Sequence, residues 1–203
     1  MSESPALILL CASLGYLVGS IPFSQIIAKM KSGLDLREAG YRNVGAYNVV
    51  RTTGLSWGLL AGSLDAGKGI AVLILVGALG VDQSLVNLAG LCAVLGHNYP
   101  VWLRFKGGKG VMVIAGLLFW VVPLETMLAT AISFAMFRMV RLVNVSVASG
   151  FVVIIILTWL FQHYERIEIL IFGAMTLIGL AYLPRFVRWL LTLLSVGKKI
   201  GTE

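Results

Sequence analysis

The chain has 203 residues, of which 59 % are hydrophobic and only 12 % are charged, and its net charge is +7. Soluble domains are roughly half apolar and about a quarter charged, so this composition excludes an ordinary soluble protein and predicts an integral membrane protein. The positive charge does not indicate a nucleic-acid-binding protein, because the basic residues are spread over short segments between apolar runs. Residues 1–203 are predicted to form a single all-α membrane domain.

Seven apolar stretches of the sequence are predicted to be transmembrane helices. In chain order they are Pro5–Met30, Leu55–Leu79, Leu85–Phe105, Val111–Val122, Leu124–Phe137, Val143–Phe161 and Ile167–Leu183. The third is interrupted near Gly96 and Pro100. The fourth and fifth are short for a hydrocarbon core of about 30 Å, so a single helix bent at Pro123 is an alternative to two spans.

The distribution of basic residues predicts how these helices are oriented. If the N-terminus lies outside, the cytoplasmic segments are 29–54, 104–109, 138–141 and 184–199, and they hold fourteen of the sixteen lysines and arginines. The outer turns then carry mainly acidic side chains, which is the asymmetry expected from the positive-inside rule. The sequence therefore predicts a multi-pass protein with its N-terminus outside and its C-terminus in the cytoplasm.

Four polar segments are predicted to meet on the cytoplasmic side. They are 19–22 (GSIP), 35–51 (DLREAGYRNVGAYNVVR), 64–69 (LDAGKG) and 96–111 (GHNYPVWLRFKGGKGV). In the first, Pro22 frees a backbone carbonyl near the Ser20 hydroxyl, although helix packing or a kink explains these residues equally well. In the third, Asp65 and Lys68 lie one turn apart within a span, so we expect them to face the bundle interior or to form an ion pair.

The glycine-rich loop Lys106–Gly110 has the features of a phosphate cradle. Glycines allow backbone N–H groups to turn toward a ligand, the lysines add positive charge, and the helix predicted from Val111 adds its N-terminus. The spacing differs from that of a Walker motif, and an ordinary basic cytoplasmic turn is the alternative. His97, just before this loop, is expected to orient a ligand by hydrogen bonding rather than to act as a base.

The segment 35–51 is rich in arginine, asparagine and glycine, a composition that favours a structured binding loop. Arg42 and Arg51 suit bidentate recognition of phosphate, and Asn43 and Asn48 add hydrogen-bonding groups. The two acidic side chains of the segment are expected to pair with its arginines. No metal site is predicted, because the two histidines are far apart in the sequence and both cysteines lie in apolar segments.

In order and spacing, these four segments resemble the PlsY family of bacterial membrane glycerol-3-phosphate acyltransferases. The resemblance covers the first 111 residues, with GHxxPxxxxFKGGKGV as its most specific element, and continues beyond them mainly in hydropathy. It implies a seven-helix fold with its N-terminus outside. It also implies transfer of an acyl group from acyl phosphate to the 1-position of sn-glycerol 3-phosphate, giving lysophosphatidic acid and phosphate without a metal or another cofactor.

The resemblance further implies a location in the bacterial cytoplasmic (inner) membrane among lipids, with a soluble acyl-phosphate-forming enzyme as a candidate partner. Together with the composition of the segments, it predicts the residues of the site. The predicted catalytic residues are Arg51, Asn43, His97 and Lys106. The predicted substrate-binding residues are Ser20, Arg42, Asn48, Lys106, Gly107, Gly108, Lys109 and Ser146.

Several positions depart from the family pattern. The family's G-S-G-N-x-G-A-T-N run is GYRNVGAYN at 40–48, so its serine, second glycine and threonine are Tyr41, Arg42 and Tyr47. A later family serine corresponds to Asn144, near Ser146, and the family's C-terminal His and Asn are missing from 181–186. Two alternatives to an active acyltransferase follow. One is a catalytically silent relative that binds a phosphorylated lipid or a partner, and the other is a transporter or an acyltransferase for another polar acceptor.

Overall fold

The computed structural model describes residues 3–161 and 173, and every regular element in them is helical. The α-helices are α1 (Pro5–Gly19), α2 (Phe23–Ser32), α3 (Ala46–Thr53), α4 (Leu55–Gly77), α5 (Gln83–Asn98), α6 (Val111–Val121), α7 (Pro123–Val140) and α8 (Val143–Leu160). A 3-10 helix, Val101–Leu103, follows α5. The all-α class predicted from hydropathy is confirmed, and the last predicted span, 167–183, lies outside the described residues.

Three of the described helical segments are long and apolar enough to cross a membrane, namely Pro5–Ser32, Leu55–Gly77 and Val143–Leu160. The predicted fourth and fifth spans are two helices rather than one bent helix, because Val122 between them has a non-helical backbone with φ −137°. Pro123 is the first residue of α7, where its missing N–H costs no hydrogen bond within the helix.

The first predicted span consists of two helices with a break between them. α1 ends at Gly19 and α2 begins at Phe23, because Pro22 has no N–H with which to continue the hydrogen bonds of α1. The break leaves the Ile21 carbonyl outside the α-helical ladder. The Phe23 N–H donates to it at 3.2 Å, and a neighbouring helix can supply a further donor.

Small residues bring α1 very close to α5. A Cβ at Gly19 would lie 2.1 Å from the carbonyl oxygen of Ala93, so only glycine permits this approach. One residue further on, Ser20 packs against the last turn of α5, where a Cβ at Gly96 would lie 3.0 Å from the Ser20 hydroxyl oxygen. This contact fixes the break after α1 beside the end of α5.

Helix α4 lies at the centre of the described bundle and contacts α1, α2, α3, α5 and α6. Its contact with α6 is as close as that of α1 with α5, since a Cβ at Gly116 would lie 2.0 Å from the Ala66 carbonyl oxygen. Asp65 and Lys68 lie on the enclosed side of α4 and are only 1 % and 4 % exposed. The prediction that they face the bundle interior is confirmed.

Candidate functional site

All four polar segments of the sequence contribute to one narrow cleft. Its lining residues are Ser20, Ile21, Pro22 and Ser24 from the first span, Val44 from the loop 33–45, Asp65 and Lys68 from α4, and His97 and Pro100 from the end of α5. The predicted convergence of the four segments is therefore confirmed. Charged and polar side chains gathered inside an otherwise apolar bundle mark this cleft as the candidate functional site.

The charged centre of the cleft is an ion pair between Asp65 Oδ1 and Lys68 Nζ, which lie 3.0 Å apart. Asp65 also accepts a hydrogen bond from the Ser24 hydroxyl at 2.7 Å. Lys68 Nζ donates to the Ile21 carbonyl at 2.7 Å, so the carbonyl released by the break after α1 is satisfied from α4. Two buried opposite charges with these additional hydrogen bonds compensate each other, and the predicted pairing is confirmed.

His97 connects this ion pair to the glycine-rich loop. Its Nδ1 lies 3.0 Å from Lys68 Nζ and 3.6 Å from Asp65 Oδ1. Its other ring nitrogen, Nε2, faces the loop, because a Cβ at Gly108 would lie 2.1 Å from it. The ring is 7 % exposed, so its orientation is set by these contacts rather than by solvent. A direct contact of His97 with a substrate stays a prediction.

The glycine-rich loop is folded onto the end of α5 by its own backbone. The Gly107 N–H donates to the Asn98 carbonyl at 3.1 Å, and the Gly108 N–H donates to the His97 carbonyl at 3.0 Å. These two N–H groups are used by the protein itself, because the last carbonyls of α5 need donors once the helix ends. Substrate binding by Gly107 and Gly108 stays a prediction. The glycines also allow close packing, since a Cβ at Gly108 would lie 2.4 Å from the Val44 carbonyl oxygen.

The rest of this loop retains features that suit an anion. Helix α6 begins at Val111, as predicted, after Gly110 in a left-handed conformation with φ 78°. Lys106 is exposed and Lys109 is half-buried, so positive charge lies at the N-terminus of α6. The helix dipole and the lysines would both attract a negatively charged group at this N-terminus.

Besides Asp65 Oδ1, whose contact with Lys68 is an ion pair, two buried polar side chains at the site have no hydrogen-bond partner within the described part of the chain. One is the Ser20 hydroxyl in the cleft, and the other is the amide of Asn98, which is 3 % exposed. Asn98 lies under Gly110, where a Cβ would be 2.9 Å from its Oδ1. An unpaired buried polar group costs about 1–3 kcal/mol, so both atoms mark places where a ligand or a water molecule is expected.

Asn48 shapes the loop that precedes α3. Its Nδ2 donates to the carbonyls of Leu36, Ala39 and Asn43 at 3.2, 3.0 and 3.0 Å. Its Oδ1 accepts the Tyr41 N–H at 2.9 Å, and the side chain is 2 % exposed. The amide is therefore used by the loop backbone, which is a structural role. Substrate binding by Asn48 stays a prediction.

Asp35 and Arg37 anchor the start of the same loop. Arg37 Nε donates to Asp35 Oδ1 at 2.9 Å, and Arg37 Nη1 donates to the Leu103 carbonyl at 3.3 Å. The hydrogen bond from Arg37 holds the pKa of Asp35 down at about 2. The expected pairing of an acidic side chain with an arginine is confirmed for Asp35, and it ties the loop to the 3-10 helix.

Tyr41, Tyr47, Arg51 and Phe137 form an aromatic cluster beside the loop. The two tyrosine rings stack with centroids 5.6 Å apart, and Tyr47 meets Phe137 edge-on at 5.8 Å. The Arg51 guanidinium lies over the Tyr41 ring at 5.8 Å, a cation–π contact. Burial raises the pKa of Tyr47. Two of the positions that depart from the family pattern thus contact each other, and one of them contacts an arginine predicted to be catalytic.

Arg42 has a left-handed backbone with φ 52°. A side chain makes this conformation unfavourable, so a glycine, as in the family pattern, suits the position better. Arg42 is exposed, and Asn43 beside it is half-buried. Both stay predicted ligand-binding residues, on a loop whose Val44 reaches the cleft.

Of the predicted site residues, Ser20 and His97 line the cleft directly. Ser146 is buried in α8, and its hydroxyl donates at 2.9 Å to the carbonyl of Leu142, the residue just before that helix. Its role in substrate binding stays a prediction. The segment 181–186, where the family pattern has its C-terminal motif, lies outside the described residues.

Ser24, Asp65 and Lys68 line the cleft but were absent from the predicted set of site residues. For Asp65 and Lys68 the sequence carried a signal, since charges inside an apolar span are costly and mark function by default. Ser24 carried none, because a serine in a membrane helix is common. Its contact with Asp65 depends on how α2 packs on α4.

Within residues 3–161 and 173, no three His, Cys, Asp or Glu side chains lie close enough together to hold a metal ion. Cys11 and Cys92 are free thiols, the first buried and the second half-buried. The polar chemistry of the described site is therefore that of lysine, histidine, serine, asparagine and carboxylate groups.

These features define a class of protein, an α-helical membrane protein with a buried charged cleft beneath a basic, glycine-rich loop. Residues 9–193 match the family model described as glycerol-3-phosphate acyltransferase. The chain belongs to this glycerol-3-phosphate acyltransferase family.

Among curated relatives, the glycerol-3-phosphate acyltransferase of Agrobacterium fabrum (strain C58) is 41 % identical over 157 residues, which are 77 % of this chain and 76 % of that protein. Glycerol-3-phosphate acyltransferase 5 of Dehalococcoides mccartyi is 39 % identical over 132 residues, 64 % of this chain. That match spans only 57 % of the Dehalococcoides protein's length.

The fold is similar to solved structures. A crystal structure of PlsY, an integral membrane glycerol 3-phosphate acyltransferase in its glycerol 3-phosphate form, matches with a TM-score of 0.79 at 33 % identity. The match covers 91 % of this chain and 92 % of that one. The lysophosphatidic acid form of PlsY matches with a TM-score of 0.77 at 31 % identity, with the same coverage. The integral membrane class predicted from composition is thereby confirmed.

Proposed function

We propose that this protein transfers an acyl group from acyl phosphate to the 1-position of sn-glycerol 3-phosphate, giving lysophosphatidic acid and inorganic phosphate. The observation that carries the proposal is the convergence of four polar segments on one cleft, beneath a basic loop at a helix N-terminus. Membership of the glycerol-3-phosphate acyltransferase family supports the acceptor. The solved relatives in glycerol 3-phosphate and lysophosphatidic acid forms support the same reaction.

The chemistry requires little beyond positioning and charge stabilisation, because acyl phosphate is already activated. The acceptor hydroxyl oxygen attacks the acyl carbon, an ester bond forms, and the bond between that carbon and the phosphate oxygen breaks. The electron pair leaves with the phosphate, and the proton of the acceptor hydroxyl ends on the released phosphate. Lys106 and the N-terminus of α6 would stabilise the charge that develops there. Lys109, Gly107 and Gly108 belong to the same loop and would define its shape.

The unpaired groups of the site suit the same ligands. The Asn98 amide lies under Gly110, and Ser20 Oγ lies in the cleft, so each could donate to a phosphoryl oxygen at no cost to an existing hydrogen bond. Arg51, Arg42 and Asn43 would bind the acceptor's phosphate from the loop side, with Asn48 holding that loop in shape. His97 would orient the reacting groups, and Ser146 would complete the site from α8.

We further propose that residues 1–203 form one domain in a bacterial cytoplasmic membrane, with the N-terminus outside and the cleft opening to the cytoplasm. The clustering of basic residues in the segments assigned to that side supports this orientation. The acyl chain would lie among the apolar helices. A soluble enzyme that forms acyl phosphate would supply the donor at the cytoplasmic face.

Labelled glycerol 3-phosphate tests the reaction directly. Purified protein in detergent is given the labelled acceptor with palmitoyl phosphate or with palmitoyl-CoA, and the lipid product is analysed for the acylated position. The proposal expects 1-acyl lysophosphatidic acid from palmitoyl phosphate alone. Product from palmitoyl-CoA, or acylation only at the 2-position, would contradict the proposed donor or regiochemistry.

The aromatic cluster favours a second candidate, a relative that binds a phosphorylated lipid or another polar acceptor without turning over glycerol 3-phosphate. Tyr41 and Tyr47 place a ring stack where the family pattern has small side chains, and Arg51 lies on that stack. This candidate expects a higher melting temperature with a phosphorylated lipid, but no acylation of glycerol 3-phosphate. Turnover of glycerol 3-phosphate at a normal enzymatic rate would exclude it.

A further inference from the structure

The Lys68 ammonium group contacts polar groups from three parts of the bundle. They are the Ile21 carbonyl at 2.7 Å, Asp65 Oδ1 at 3.0 Å and His97 Nδ1 at 3.0 Å. An ammonium group has N–H donors and no acceptor, so it donates hydrogen bonds to the Ile21 carbonyl and His97 Nδ1, and its contact with Asp65 Oδ1 is an ion pair. The Lys68 ammonium group thus links the break after α1, the buried carboxylate of α4 and the end of α5.

This coordination decides which nitrogen of His97 carries the proton. If Lys68 donates to Nδ1, that nitrogen is unprotonated, and in the neutral ring the proton is on Nε2. The reverse arrangement, with Nδ1–H of a neutral ring donating to a neutral lysine, would leave the Asp65 carboxylate buried without a countercharge. Such a carboxylate is costly inside a membrane bundle, so charge balance favours the ammonium and the Nε2–H form of His97.

The proton on Nε2 faces the glycine-rich loop. Gly108 packs directly against Nε2, and the Gly108 N–H donates to the carbonyl of the same histidine at 3.0 Å. Both the main chain and the ring of His97 therefore contact one residue of the loop. Any change in the ring's orientation or protonation acts on Gly108 and, one residue further, on Lys109.

We infer that Lys68 and Asp65 are positioning residues: they fix His97 as the Nε2–H tautomer and thereby hold the glycine-rich loop in the geometry that the reaction needs. Neither side chain needs to touch a substrate for this. Ser24, which donates to the other oxygen of Asp65, keeps that carboxylate in place. The inference deepens the proposed function, on which its kinetic consequence rests. Its statement about His97 is independent of any turnover.

The His97 tautomer can be measured by NMR on the intact protein. His163→Gln leaves His97 as the only histidine of the chain, and ¹⁵N-histidine labelling then reports the two ring nitrogens separately. The inference expects an unprotonated Nδ1 and a protonated Nε2 at neutral pH. It also expects Lys68→Met, in the same background, to lose this fixed tautomer. A proton on Nδ1, or a spectrum unchanged by Lys68→Met, would overturn the inference.

Kinetics separate a positioning role from a merely structural one. Lys68→Met should lower kcat roughly 100-fold, as expected for a misplaced catalytic loop, with a smaller change in KM for either substrate. Lys29→Met, the same substitution at an exposed lysine of α2, is the matched control and should keep wild-type kinetics. Unchanged kcat in folded Lys68→Met would contradict the positioning role.

A second variant covers the case in which Lys68→Met does not fold because it leaves Asp65 without a countercharge. The double variant Asp65→Asn with Lys68→Met removes both charges together and leaves no unpaired buried ion. It should fold, lose the fixed tautomer of His97 and lose activity. If it folds and keeps the Nε2–H form, the inference is wrong. If wild-type protein has the expected tautomer but no acyltransfer activity, the proposed function is wrong, whereas the assignment of the His97 tautomer by Lys68 and Asp65 is retained.

Discussion

The buried cleft and the aromatic cluster are built in opposite ways. In the cleft, Asp65, Lys68 and His97 are almost fully enclosed and contact one another across the two helices α4 and α5. In the cluster, Tyr41 is 54 % exposed and the Arg51 guanidinium lies over its ring. Enclosed charges interact strongly and tolerate little change, whereas an exposed cation–π contact is worth about 0.5–1 kcal/mol.

This difference indicates a division of roles between the two regions. Of the four described positions that were predicted to depart from the family pattern, Tyr41, Arg42 and Tyr47 fall in the loop and its cluster, and Asn144 lies in α8. None of these four positions lines the cleft. We therefore expect substitutions in the cleft to affect folding and turnover, and substitutions in the cluster to change the affinity for the acceptor.

The largest effect is expected from Asp65→Asn. It keeps the size of the side chain but leaves the Lys68 ammonium without a countercharge, which should cost about 3–5 kcal/mol of stability. Thermal unfolding in detergent measures this as a large fall in melting temperature. Asp82→Asn, the same change at an exposed carboxylate, is the control and should unfold as wild type does. An unchanged melting temperature for Asp65→Asn would mean that the pair contributes nothing to the bundle.

Gly108→Ala is expected to have the next largest effect. The new Cβ would lie 2.1 Å from His97 Nε2 and 2.4 Å from the Val44 carbonyl oxygen, so the ring and the loop must move apart. A displacement of about 1 Å can cost roughly 100-fold in turnover. Gly67→Ala, at an open helical position with no neighbour within 4 Å, should keep wild-type turnover. Equal rates in the two variants would contradict the contact between His97 and the loop.

Arg51→Ala tests the loop side of the comparison. Loss of one charge-assisted hydrogen bond to phosphate should cost about 1.5–3 kcal/mol, which is roughly a 10- to 100-fold rise in KM for glycerol 3-phosphate. The KM for acyl phosphate should change much less. Arg51→Lys keeps the charge without the planar guanidinium group, so its KM for glycerol 3-phosphate should lie between those of the wild type and Arg51→Ala. A wild-type KM for the acceptor in Arg51→Ala would remove Arg51 from the site.

Arg42→Gly should stabilise the protein by a smaller amount. The left-handed backbone of Arg42 costs a residue with a Cβ about 1 kcal/mol, and glycine removes this cost. Arg42→Ala removes the guanidinium but keeps the strain, so it should give no increase in melting temperature. If Arg42→Gly and Arg42→Ala had the same melting temperature, relief of the left-handed backbone would not explain any increase in stability. Acceptor KM in the same two variants measures the contribution of the guanidinium.

The smallest effect concerns the Asp35–Arg37 pair and pH. The pKa of Asp35 is about 2 in the folded protein and about 3.9 in an unfolded chain. A lowered pKa means that the pair's stabilisation is complete above about pH 4 and is lost as the pH falls toward 2. The pair is partly exposed, so solvent screening keeps the effect small. Asp35→Asn should flatten the melting temperature across this window, and an unaltered pH dependence would contradict the assignment.

Much of the fold follows from the sequence because hydropathy dictates which segments are helical in a membrane. The start of α6 at Val111 and the inward orientation of Asp65 and Lys68 were predicted in this way. Charges inside an apolar span have few alternatives to pairing. Pro22 indicated the break after α1. The sequence did not indicate that Lys68 donates to the Ile21 carbonyl, because this contact depends on how α2 and α4 pack.

The details of the site were less predictable for a physical reason. A glycine-rich sequence indicates that backbone atoms approach something closely, but not whether that partner is a ligand or the protein itself. At Gly107 and Gly108 the partner is the end of α5. Asn48 illustrates the same limit, because a polar residue in a loop can bind a ligand or hold the loop. Three carbonyls of the loop surround its amide.

The most direct test of the central claim is phosphate release from palmitoyl phosphate by the purified protein, measured with and without glycerol 3-phosphate. We predict phosphate release that depends on the acceptor. Lys106→Ala should lose this release, because it lacks the exposed ammonium group that stabilises the leaving phosphate. An absence of phosphate release by folded protein that still binds palmitoyl phosphate would contradict the proposed acyltransferase activity. That result would leave a phosphorylated-lipid-binding protein built on this fold.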